Sequence, residues 1–424
     1  MPEIRPFRGL RYNPDTAGDM ADLICPPYDV IPPSMQEELY GSSPYNSIKL
    51  ELPMEADPYA AAAERIAEWL REGVLFEENE PALYPYSQTF TDQEGRSHTR
   101  CGFFAALRLH EFAERKVLPH ERTLSGPKAD RLNLFRTTKT NISAIFGLYA
   151  DEEGRADSLV AGYTAAHEPV VDAMFQGIRN RLWRITDPEL IAAVQQALAE
   201  KSVYIADGHH RYETGLNYRR ERSATNHGHT GDEPYNFILC YLNNIHDRGL
   251  VVFPIHRLVH SVEGFDAATF LNRLEEHFSV TGLAGRTELK TYLDASTSSY
   301  SYGVVTGGSV YGITLKDGAA GLLDSDISPA LQQLGLVVLH EVVLNRVLGI
   351  GQEALARQTN IVYVKDDAEV FRALDEGKAQ LGFVVKPATV GQVLAVSESG
   401  GVMPQKSTFF YPKIMTGLVF KPLD

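Results

Sequence analysis

The clearest pattern of hydrophobic and polar positions lies between residues 202 and 221. The apolar run at 203–205 is rich in residues that favour strands, so we predict a buried strand over residues 203–206. Gly208 interrupts the run, and the apolar positions that follow recur at helical spacing. The pattern therefore predicts a helix that begins within about three residues of His209.

The rest of the chain alternates between strand-like and helix-like segments. The patterns predict strands at residues 83–90, 97–109, 141–150, 169–175, 181–185, 235–243, 250–253, 300–305, 310–315, 359–364 and 380–385. They predict helices at residues 57–73, 156–166, 187–198, 265–278, 328–348 and 366–376. Because the two kinds of segment alternate, we expect an α/β to α+β fold in which helices flank a mixed sheet. We predict a first domain at residues 1–260 and a second α/β half at residues 261–424.

Composition and charge restrict the classes of function. The chain has 424 residues, of which 44% are hydrophobic and 22% are charged, as in ordinary globular proteins. Its formal net charge of −15 opposes a general role on nucleic acid or on an anionic membrane. The three cysteines form no zinc motif, and no stretch of about 18 apolar residues occurs. We therefore expect a cytoplasmic protein without a nucleic-acid or membrane partner.

Ionisable side chains crowd the predicted turn between the strand and the helix. A strand, a glycine turn and a helix N-terminus together point backbone N–H groups at an anion. Arg211 can hold a phosphate or a carboxylate in a bidentate fork, and Asp207 can orient a histidine, hold magnesium or accept a proton. His209 and His210 lie between these two residues. The alternative is a helix cap, in which Asp207 is the N-cap and the histidines are solvated.

Arg211 is predicted to bind an anionic ligand, because a cation in the first turn of a helix opposes the helix dipole unless an anion is bound there. Arg211→Lys is expected to weaken binding, since lysine lacks the bidentate fork. Arg211→Ala is expected to weaken binding further and to leave the stability of the ligand-free protein almost unchanged.

A proline-rich segment near the start of the chain displays Tyr28 and Asp29. The Pro-Pro pairs at 26–27 and 32–33 fix an extended path on either side of these two residues. Such a path can hold the side chains rigidly for binding. It serves equally well as a structural crossover in which Tyr28 packs inside.

Residues 116–139 form a basic stretch in an acidic chain. Its six basic residues include Lys128 and Arg131, and two acids reduce the local net charge to +4. Because Gly126 and Pro127 interrupt the stretch, we predict a positive loop that can bind an anion. The alternative is an exposed segment whose cations pair with acids elsewhere.

The segment 403–413 combines Lys406, Ser407 and further polar side chains with three aromatic residues. Such side chains suit a nucleotide or sugar-phosphate site, and the alternative is a final strand with solvated lysines. We predict that Lys406–Ser407, Tyr28–Asp29 and the basic residues around Lys128 and Arg131 converge on the turn at 207–211. In the helix predicted at 328–348, His340 and Glu341 interrupt an apolar run and are predicted to form a satisfied pair.

Five motifs together resemble a bacterial and archaeal family of unknown function whose members are often labelled ParB-like. They are CPPYDVI from residue 25, ERTLSGPKADRLNL from 121, IADGHHRYET from 205, FPIHRL from 253 and MPQKSTFFYPK from 403. The run Gly208–His209–His210–Arg211 resembles the glycine–X–histidine–arginine phosphate loop of the ParB and sulfiredoxin superfamily. The resemblance implies a ParB/sulfiredoxin-like core that is elaborated by a second α/β half.

Two departures narrow what the resemblance implies. Sulfiredoxin needs a cysteine after the loop glycine, where this chain has His209, so sulfinic-acid reduction is not expected. Partition proteins need a basic DNA-reading helix-turn-helix, and the acidic chain offers none. The free-serine-kinase branch of the superfamily is the nearest analogy, and it is an analogy of fold and loop only.

The motifs favour a nucleotide-dependent phosphotransferase that uses ATP or ADP with magnesium on a small hydroxylated metabolite such as serine. Gly208 and Arg211 would hold the phosphates, and Asp207 or Glu213 would be the base or the magnesium ligand. His209 and His210 would complete the polar wall, and Lys128 and Lys406 would neutralise the transferred group. The alternatives are a phosphomonoester phosphatase and a non-catalytic nucleotide-binding regulatory module. The residues predicted to bind nucleotide are Gly208, Arg211, Lys128, Arg131, Lys406, Ser407, Tyr28 and Asp29.

Overall fold

The structure, a computed structural model, describes residues 2–92, 94–123, 125–317 and 321–424. Leu124, which belongs to the motif ERTLSGPKADRLNL and to the basic stretch, therefore lies outside the described residues. The chain divides into two compact units. Unit one comprises Met1–Pro119, Thr123–Val251 and Pro412–Asp424, and unit two comprises His120–Arg122 and Val252–Tyr411. The division into domains at 1–260 and 261–424 stays a prediction. In the structure the last segment, Pro412–Asp424, belongs to unit one.

Unit one is built on a nine-stranded mixed sheet. The strands follow the order Val117–Leu118, Val203–Asp207, Ile145–Tyr149, Phe237–Asn244, Ser97–Arg108, Tyr84–Thr91, Ile178–Leu182 and Val171–Phe175, with Ile4–Arg5 paired to Ser97–Arg108. Two of these pairings are parallel and the others are antiparallel. The predicted fold class, a mixed sheet with flanking helices, is therefore confirmed.

Helices and short ribbons surround this sheet. The helices of unit one are Pro14–Ala17, Met20–Leu23, Pro33–Ser42, Ile48–Glu51, Pro58–Arg71, Ser125–Thr138, Arg155–Ala166, Pro188–Leu198 and His209–Thr225. Tyr28–Val30, Phe112–Glu114 and Pro234–Asn236 are single tight turns. The ribbons pair Leu10–Tyr12 with Leu75–Glu77 and Thr140–Asn141 with Lys421–Pro422. Among the described residues, none of the helices has the length and apolar character that a membrane crossing needs.

The strand and helix predicted at the centre of the chain are confirmed. The strand is Val203–Asp207, called the central strand below, and the helix is His209–Thr225, called the central helix. The apolar side chains of the central strand are buried in the main core of unit one. Tyr212 joins this core, and its hydroxyl group bonds the backbone N–H and C=O of His110 at 2.9 and 2.8 Å. Burial of one face therefore fixes the first turn of the helix against the sheet.

Unit two is built on a six-stranded antiparallel sheet. Its order is Phe278–Leu283, Ser309–Leu315, Ser301–Thr306, Leu381–Val385, His256–Val259 and Ile361–Val364, and a separate ribbon pairs Val251–Phe253 with Phe409–Tyr411. The helices are Ala267–Leu274, Arg286–Ala295, Pro329–Gln332, Gly335–Val338, Gln352–Arg357, Asp367–Asp375 and Val390–Glu398, with a π-helix at Leu339–Val347. The core under one face of the sheet contains Leu258, Leu289 and Val370.

Two predicted segments differ from the structure. The basic stretch was predicted as a loop, but Ser125–Thr138 is a helix. Proline is tolerated in the first turn of a helix, where its missing N–H has no intrahelical acceptor, so Pro127 does not prevent this helix. The single long helix predicted at 328–348 is divided into Pro329–Gln332, Gly335–Val338 and the π-helix.

Candidate functional site

The turn between the central strand and the central helix depends on Gly208. This residue has φ of +90° and forms the N-cap position without a side-chain cap, so the alternative in which Asp207 caps the helix is wrong. A Cβ atom at this position would approach the Arg211 Nε atom to 3.0 Å. Glycine therefore satisfies two requirements, since it adopts the left-handed conformation and admits the guanidinium group beside the turn.

Asp207 lies between two cations at this turn. Arg211 Nη2 donates to Asp207 Oδ2 at 3.0 Å, and Lys413 Nζ donates to Asp207 Oδ1 at 3.1 Å. A register shift in the pairing between Ile205 and Asp207 changes the direction of the strand just before the carboxylate. Burial by itself raises the pKa of Asp207, but the Lys413 and Arg211 charges outweigh it and hold this pKa below its usual value. Asp207 is therefore ionised and weakly basic.

Arg211 is 3% exposed and donates within the protein. Its Nη1 atom donates to the Ala144 carbonyl group and its Nη2 atom donates to Asp207, while Nε has no partner among the described residues. Burial lowers the pKa of Arg211, yet Asp207, Asp29 and other neighbours raise it above the usual value. The anion that the helix dipole demands at this position is thus supplied by Asp207.

Two side chains of the sheet hold the segment that carries Lys413. Gln88 Nε2 donates to the Lys413 carbonyl oxygen at 3.0 Å, and Arg100 Nη2 donates to the Pro412 carbonyl oxygen at 2.6 Å. Gln88 and Arg100 are fully buried. The ammonium group of Lys413 is therefore directed at Asp207 by a fixed backbone and not by the side chain alone.

Glu213, one helical turn after the central turn, binds a second lysine. Lys128 Nζ donates to Glu213 Oε2 and Thr123 Oγ1 donates to Glu213 Oε1, both at 2.7 Å. Burial lowers the pKa of His210, while the Glu213 and Asp29 carboxylates act against this change. His210 is therefore a neutral imidazole near pH 7, in electrostatic contact with the Glu213–Lys128 pair.

Tyr28 and Asp29 lie on the same side of unit one as this turn. The Arg131 guanidinium carbon lies 4.4 Å from the centroid of the Tyr28 ring, and the Tyr28 N–H donates to Glu51 Oε1 at 3.2 Å. Burial raises the pKa of Tyr28 to about 12, although the Arg211 charge acts to lower it. Asp29 is exposed, and its charge contributes to the raised pKa of Arg211. Arg131 Nη1 also donates to the Glu51 carbonyl oxygen at 2.9 Å.

The structure thus brings together most of the residues predicted from the sequence. Those that meet around the central turn of unit one are Tyr28, Asp29, Lys128, Arg131, Asp207, Gly208, His209, His210, Arg211 and Glu213. Their roles as catalytic or nucleotide-binding residues stay predictions. Two cations of the basic stretch form ion pairs with acids, Lys128 with Glu213 and Arg136 with Glu221. These contacts agree with the alternative interpretation, in which the cations of this stretch pair with acids elsewhere.

Lys406 and Ser407 belong to unit two. Lys406 has φ of +55°, and its side chain is exposed. Ser407 is buried and its hydroxyl group donates to the Pro404 carbonyl oxygen at 2.6 Å. Their predicted share in nucleotide binding stays a prediction.

The arrangement around Asp207 gives little support for a magnesium site there. Among the residues that the structure describes, no group of three or more His, Cys, Asp and Glu side chains is arranged to hold a metal ion. Both Asp207 oxygens accept hydrogen bonds from cations, and these would repel a divalent ion. Asp207 therefore fits a magnesium ligand poorly.

Sequence reasoning counted Lys413 among the polar side chains of the segment 403–413 but not as a partner of Asp207, and it missed Glu51. Lys413 lies 206 positions from Asp207, and nothing in its local pattern separates it from an exposed lysine. Glu51 is fully buried at the end of the helix Ile48–Glu51, and its Oε2 atom has no partner in the described part of the chain. The motif MPQKSTFFYPK contains Lys413 and was the one available signal.

A family model matches most of the chain. The family described as "Protein of unknown function (DUF1015)" matches residues 4–337, which is more than half of the 424 residues. The chain belongs to this family, and the prediction of a family of unknown function is confirmed. The resemblance to the ParB and sulfiredoxin superfamily stays a prediction. None of the curated proteins matches the chain.

Several solved structures are distantly similar. A mutant of free serine kinase in complex with AMP has 12% identity and a TM-score of 0.37, and the match covers 74% of this chain and 91% of that one. A conserved hypothetical protein from Pyrococcus furiosus has 12% identity and a TM-score of 0.34, with coverage of 73% and 91%. C-terminally truncated SbnI from Staphylococcus aureus has 8% identity and a TM-score of 0.36, with coverage of 76% and 87%. At these scores the similarities support no argument about function.

Proposed function

We propose that this member of the DUF1015 family is a nucleotide-dependent phosphotransferase that acts on a small hydroxylated metabolite such as serine. The observation that carries the proposal is the ionised Asp207 held between Lys413 and Arg211 at the N-terminus of the central helix. Opposite charges fix these cations, and the helix N-terminus beside them favours an anion. Phosphoryl transfer requires this kind of preorganised positive field, because charge develops on the phosphoryl oxygens.

The phosphates of ATP or ADP are proposed to bind along the first turn of the central helix. Gly208 allows the ligand to approach the backbone, while Lys413 and Lys128 neutralise the phosphate oxygens. Arg211 contributes through Nε and positions Asp207, since its two terminal nitrogens already donate within the protein. Asp207 is a positioning residue in this scheme, because two cations lower its basicity. Tyr28, Asp29 and Arg131 form the adjacent wall.

His210 is proposed to accept the proton of the substrate hydroxyl group. Burial keeps its imidazole neutral near pH 7, so a ring nitrogen can take the hydroxyl proton as the oxygen attacks the terminal phosphorus of the nucleotide. The bond from this phosphorus to its bridging oxygen breaks, and the shortened nucleotide leaves with the electron pair. Glu213 holds Lys128 in place and opposes the positive charge that His210 then acquires. His209 is buried beside Asp207 and completes the polar wall.

Isothermal titration with ATP and ADP tests the binding half of the proposal. Lys128→Met is expected to weaken nucleotide binding by about tenfold or more, because a charge-assisted contact to phosphate is lost. Arg136→Met removes a cation from the same helix, where it pairs with Glu221 on the surface, and should leave the affinity unchanged. Equal effects of the two variants would mean that general charge, and not the site, attracts the nucleotide.

Nucleotide consumption with and without serine or another candidate alcohol tests the catalytic half. His210→Gln is expected to reduce alcohol-dependent turnover by at least about a hundredfold while nucleotide affinity is retained. Turnover that survives this substitution would exclude His210 as the base.

A non-catalytic nucleotide-binding module is the second candidate, and one observation favours it. Asp207 accepts hydrogen bonds from two cations, and Glu213 accepts them from a cation and a hydroxyl group. Because both carboxylates are occupied in this way, neither is available as a base. Nucleotide binding without turnover, over a wide set of alcohols, would support this candidate.

A further inference from the structure

Unit two contains a fully buried arginine without a carboxylate partner among the described residues. Arg257 is 0% exposed and lies on the strand His256–Val259. Its Nη1 atom donates to the Ile255 carbonyl oxygen, and its Nη2 atom donates to that of Lys406 at 3.1 Å. Its Nε atom has no hydrogen-bond partner in the described residues. Among the described residues, the hydrogen bonds of this guanidinium group therefore go to carbonyl groups.

Two more polar groups without partners lie within electrostatic reach of this guanidinium group. Tyr363 is the cross-strand partner of Arg257, and the guanidinium carbon lies 5.4 Å from the centroid of its ring. The Tyr363 hydroxyl group and the His340 Nε2 atom are buried and find no partner within the part of the chain that the structure describes. Burial, with a smaller contribution from the Arg257 charge, lowers the pKa of His340 to about 3. The sequence-based expectation that His340 forms a satisfied pair with Glu341 is therefore wrong.

His340 lies in the π-helix Leu339–Val347. Segments of π-helix are rare and occur often at functional sites, because the wider turn changes the direction of the side chains it carries. Glu341, the next residue, instead accepts hydrogen bonds from the exposed side-chain amides of Asn345 and Gln352. The backbone of this segment thus separates the imidazole from the acid beside it in sequence.

Arg100 of unit one shows that this arrangement is specific to Arg257. Arg100 is also fully buried and has two nitrogens without partners among the described residues. However, it donates to a side-chain oxygen of Gln88, and the Asp247 carboxylate lies within electrostatic reach. Arg257 has neither kind of neighbour in the described part of unit two.

Two donors and one imidazole nitrogen without partners, together with one uncompensated positive charge, can share a single ligand. The guanidinium Nε–H, the phenolic O–H and the Nε2–H tautomer of a neutral imidazole all donate hydrogen bonds. A buried donor without a partner is unfavourable, and a buried charge without a counter-charge is more so. An oxyanion can accept from all three groups and neutralise the charge.

We infer that unit two binds a small oxyanion, a phosphate or a carboxylate group, at Arg257, Tyr363 and His340. The Lys406 carbonyl group, which an irregular segment supplies, is the partner that Arg257 exchanges for the ligand. Ile255, two residues from Arg257 on the chain, remains as the fixed partner. The motifs FPIHRL and MPQKSTFFYPK therefore meet at this site.

Hydrogen exchange of the full chain, measured by mass spectrometry, tests this inference locally. Inorganic phosphate is titrated at constant ionic strength against chloride, and acetate is titrated in parallel to distinguish a phosphate from a carboxylate ligand. Saturable protection of peptides that cover residues 255–260 and 339–348 is expected with one of the two anions. Protection by neither anion would overturn the inference. Because the readout is local to unit two, it does not depend on the site proposed in unit one.

Tyr363→Phe removes only the hydroxyl group that lacks a partner. The variant is expected to raise the half-saturating anion concentration by about tenfold and to leave exchange without the anion unchanged. Tyr311→Phe, on another strand of the same sheet, is the matched control and should behave as the wild type. An anion response in Tyr363→Phe equal to that of the wild type would also overturn the inference.

Discussion

Each unit contains a buried arginine within a sequence motif, Arg211 in unit one and Arg257 in unit two, and these two arginines have opposite electrostatic surroundings. Arg211 in unit one is 3% exposed, and Arg257 in unit two is 0% exposed. Neighbouring anions, chiefly Asp207, outweigh burial and raise the pKa of Arg211, whereas burial lowers the pKa of Arg257 to about 10. The difference teaches that burial alone does not define the state of an arginine. What matters is whether the fold itself supplies the counter-charge.

The two surroundings also imply different responses to a ligand. The charge of Arg211 is already balanced by Asp207, so a phosphate there is held mainly by Lys413, Lys128 and the helix N-terminus. Within the described residues Arg257 donates hydrogen bonds to carbonyl groups and has no carboxylate partner, so its ligand would supply the balancing charge itself. Folding stability without ligand should therefore depend strongly on the first arginine and weakly on the second.

Arg211→Met gives the largest expected effect. The substitution removes one of the two cations that donate hydrogen bonds to the partly buried Asp207 carboxylate, so the free energy of unfolding should fall by about 3 kcal/mol. This reverses the sequence-based expectation that the ligand-free protein would tolerate the loss of Arg211. Urea unfolding followed by tryptophan fluorescence measures the change, because both tryptophans, Trp69 and Trp183, lie in unit one.

The surface variant Arg136→Met is the control for this measurement. It removes a half-exposed ion pair with Glu221 and should change the free energy of unfolding by less than about 1 kcal/mol. A loss for Arg211→Met as small as that of the control would show that Asp207 does not need this arginine.

Gly208→Ala should have the next largest effect. The left-handed conformation and the 3.0 Å approach to the Arg211 Nε atom both oppose a Cβ atom, so we expect a loss of about 1–3 kcal/mol. Gly154→Ala is a matched control, because Gly154 is also a left-handed N-cap but has only an ordinary contact, with Asp157 at 3.8 Å. Equal losses in the two variants would leave backbone conformation as the whole cause.

Acid sensitivity of unit two provides a smaller, pH-dependent test. Burial lowers the pKa of His340 to about 3, so between pH 6.5 and 4 the unfolded state binds a proton that the folded state does not. The stability linked to this histidine is fully present above pH 6.5 and is lost as the pH falls from 6.5 towards 3, by about 1.4 kcal/mol per pH unit. His340→Leu should flatten this dependence, and His256, whose pKa burial lowers to about 4, should account for part of the remainder.

Hydrogen exchange of strand peptides in unit two, measured across this pH range, follows the effect. His260→Leu removes a more exposed imidazole, which directly follows the strand His256–Val259, and serves as the control. An unchanged pH dependence in His340→Leu would mean that the buried imidazole gains its proton without loss of structure.

Arg257→Met should have the smallest effect on stability without an anion. Removal of an uncompensated buried charge is favourable, and loss of two carbonyl contacts is unfavourable, so the net change should lie within about 1 kcal/mol. Local hydrogen exchange in unit two measures it, since unit two contains neither tryptophan. A loss as large as that of Arg211→Met would remove the distinction between the two arginines.

Local sequence patterns were sufficient to predict the helices and strands that have a strong hydrophobic periodicity or a clear terminating residue. The central strand and the central helix begin close to their predicted positions, because an apolar run, a glycine and a helical spacing act within a few residues. The helix Ser125–Thr138 was missed, since Gly126 and Pro127 were read as interruptions when they lie in its first turn. The π-helix at Leu339–Val347 was missed as well, because the apolar positions of this segment recur at a spacing that also fits an α-helix.

The sequence by itself determined the strand–glycine–helix turn, the mixed fold class and the residue types around Asp207, because these depend on neighbours along the chain. Only the tertiary structure decided that Lys413 reaches Asp207 from 206 positions away, and that Arg257 reaches Lys406 from 149. The charge state of a buried group depends on which distant side chains surround it, and the chain order does not contain that information. For this reason the two arginines look alike in sequence and differ in the fold.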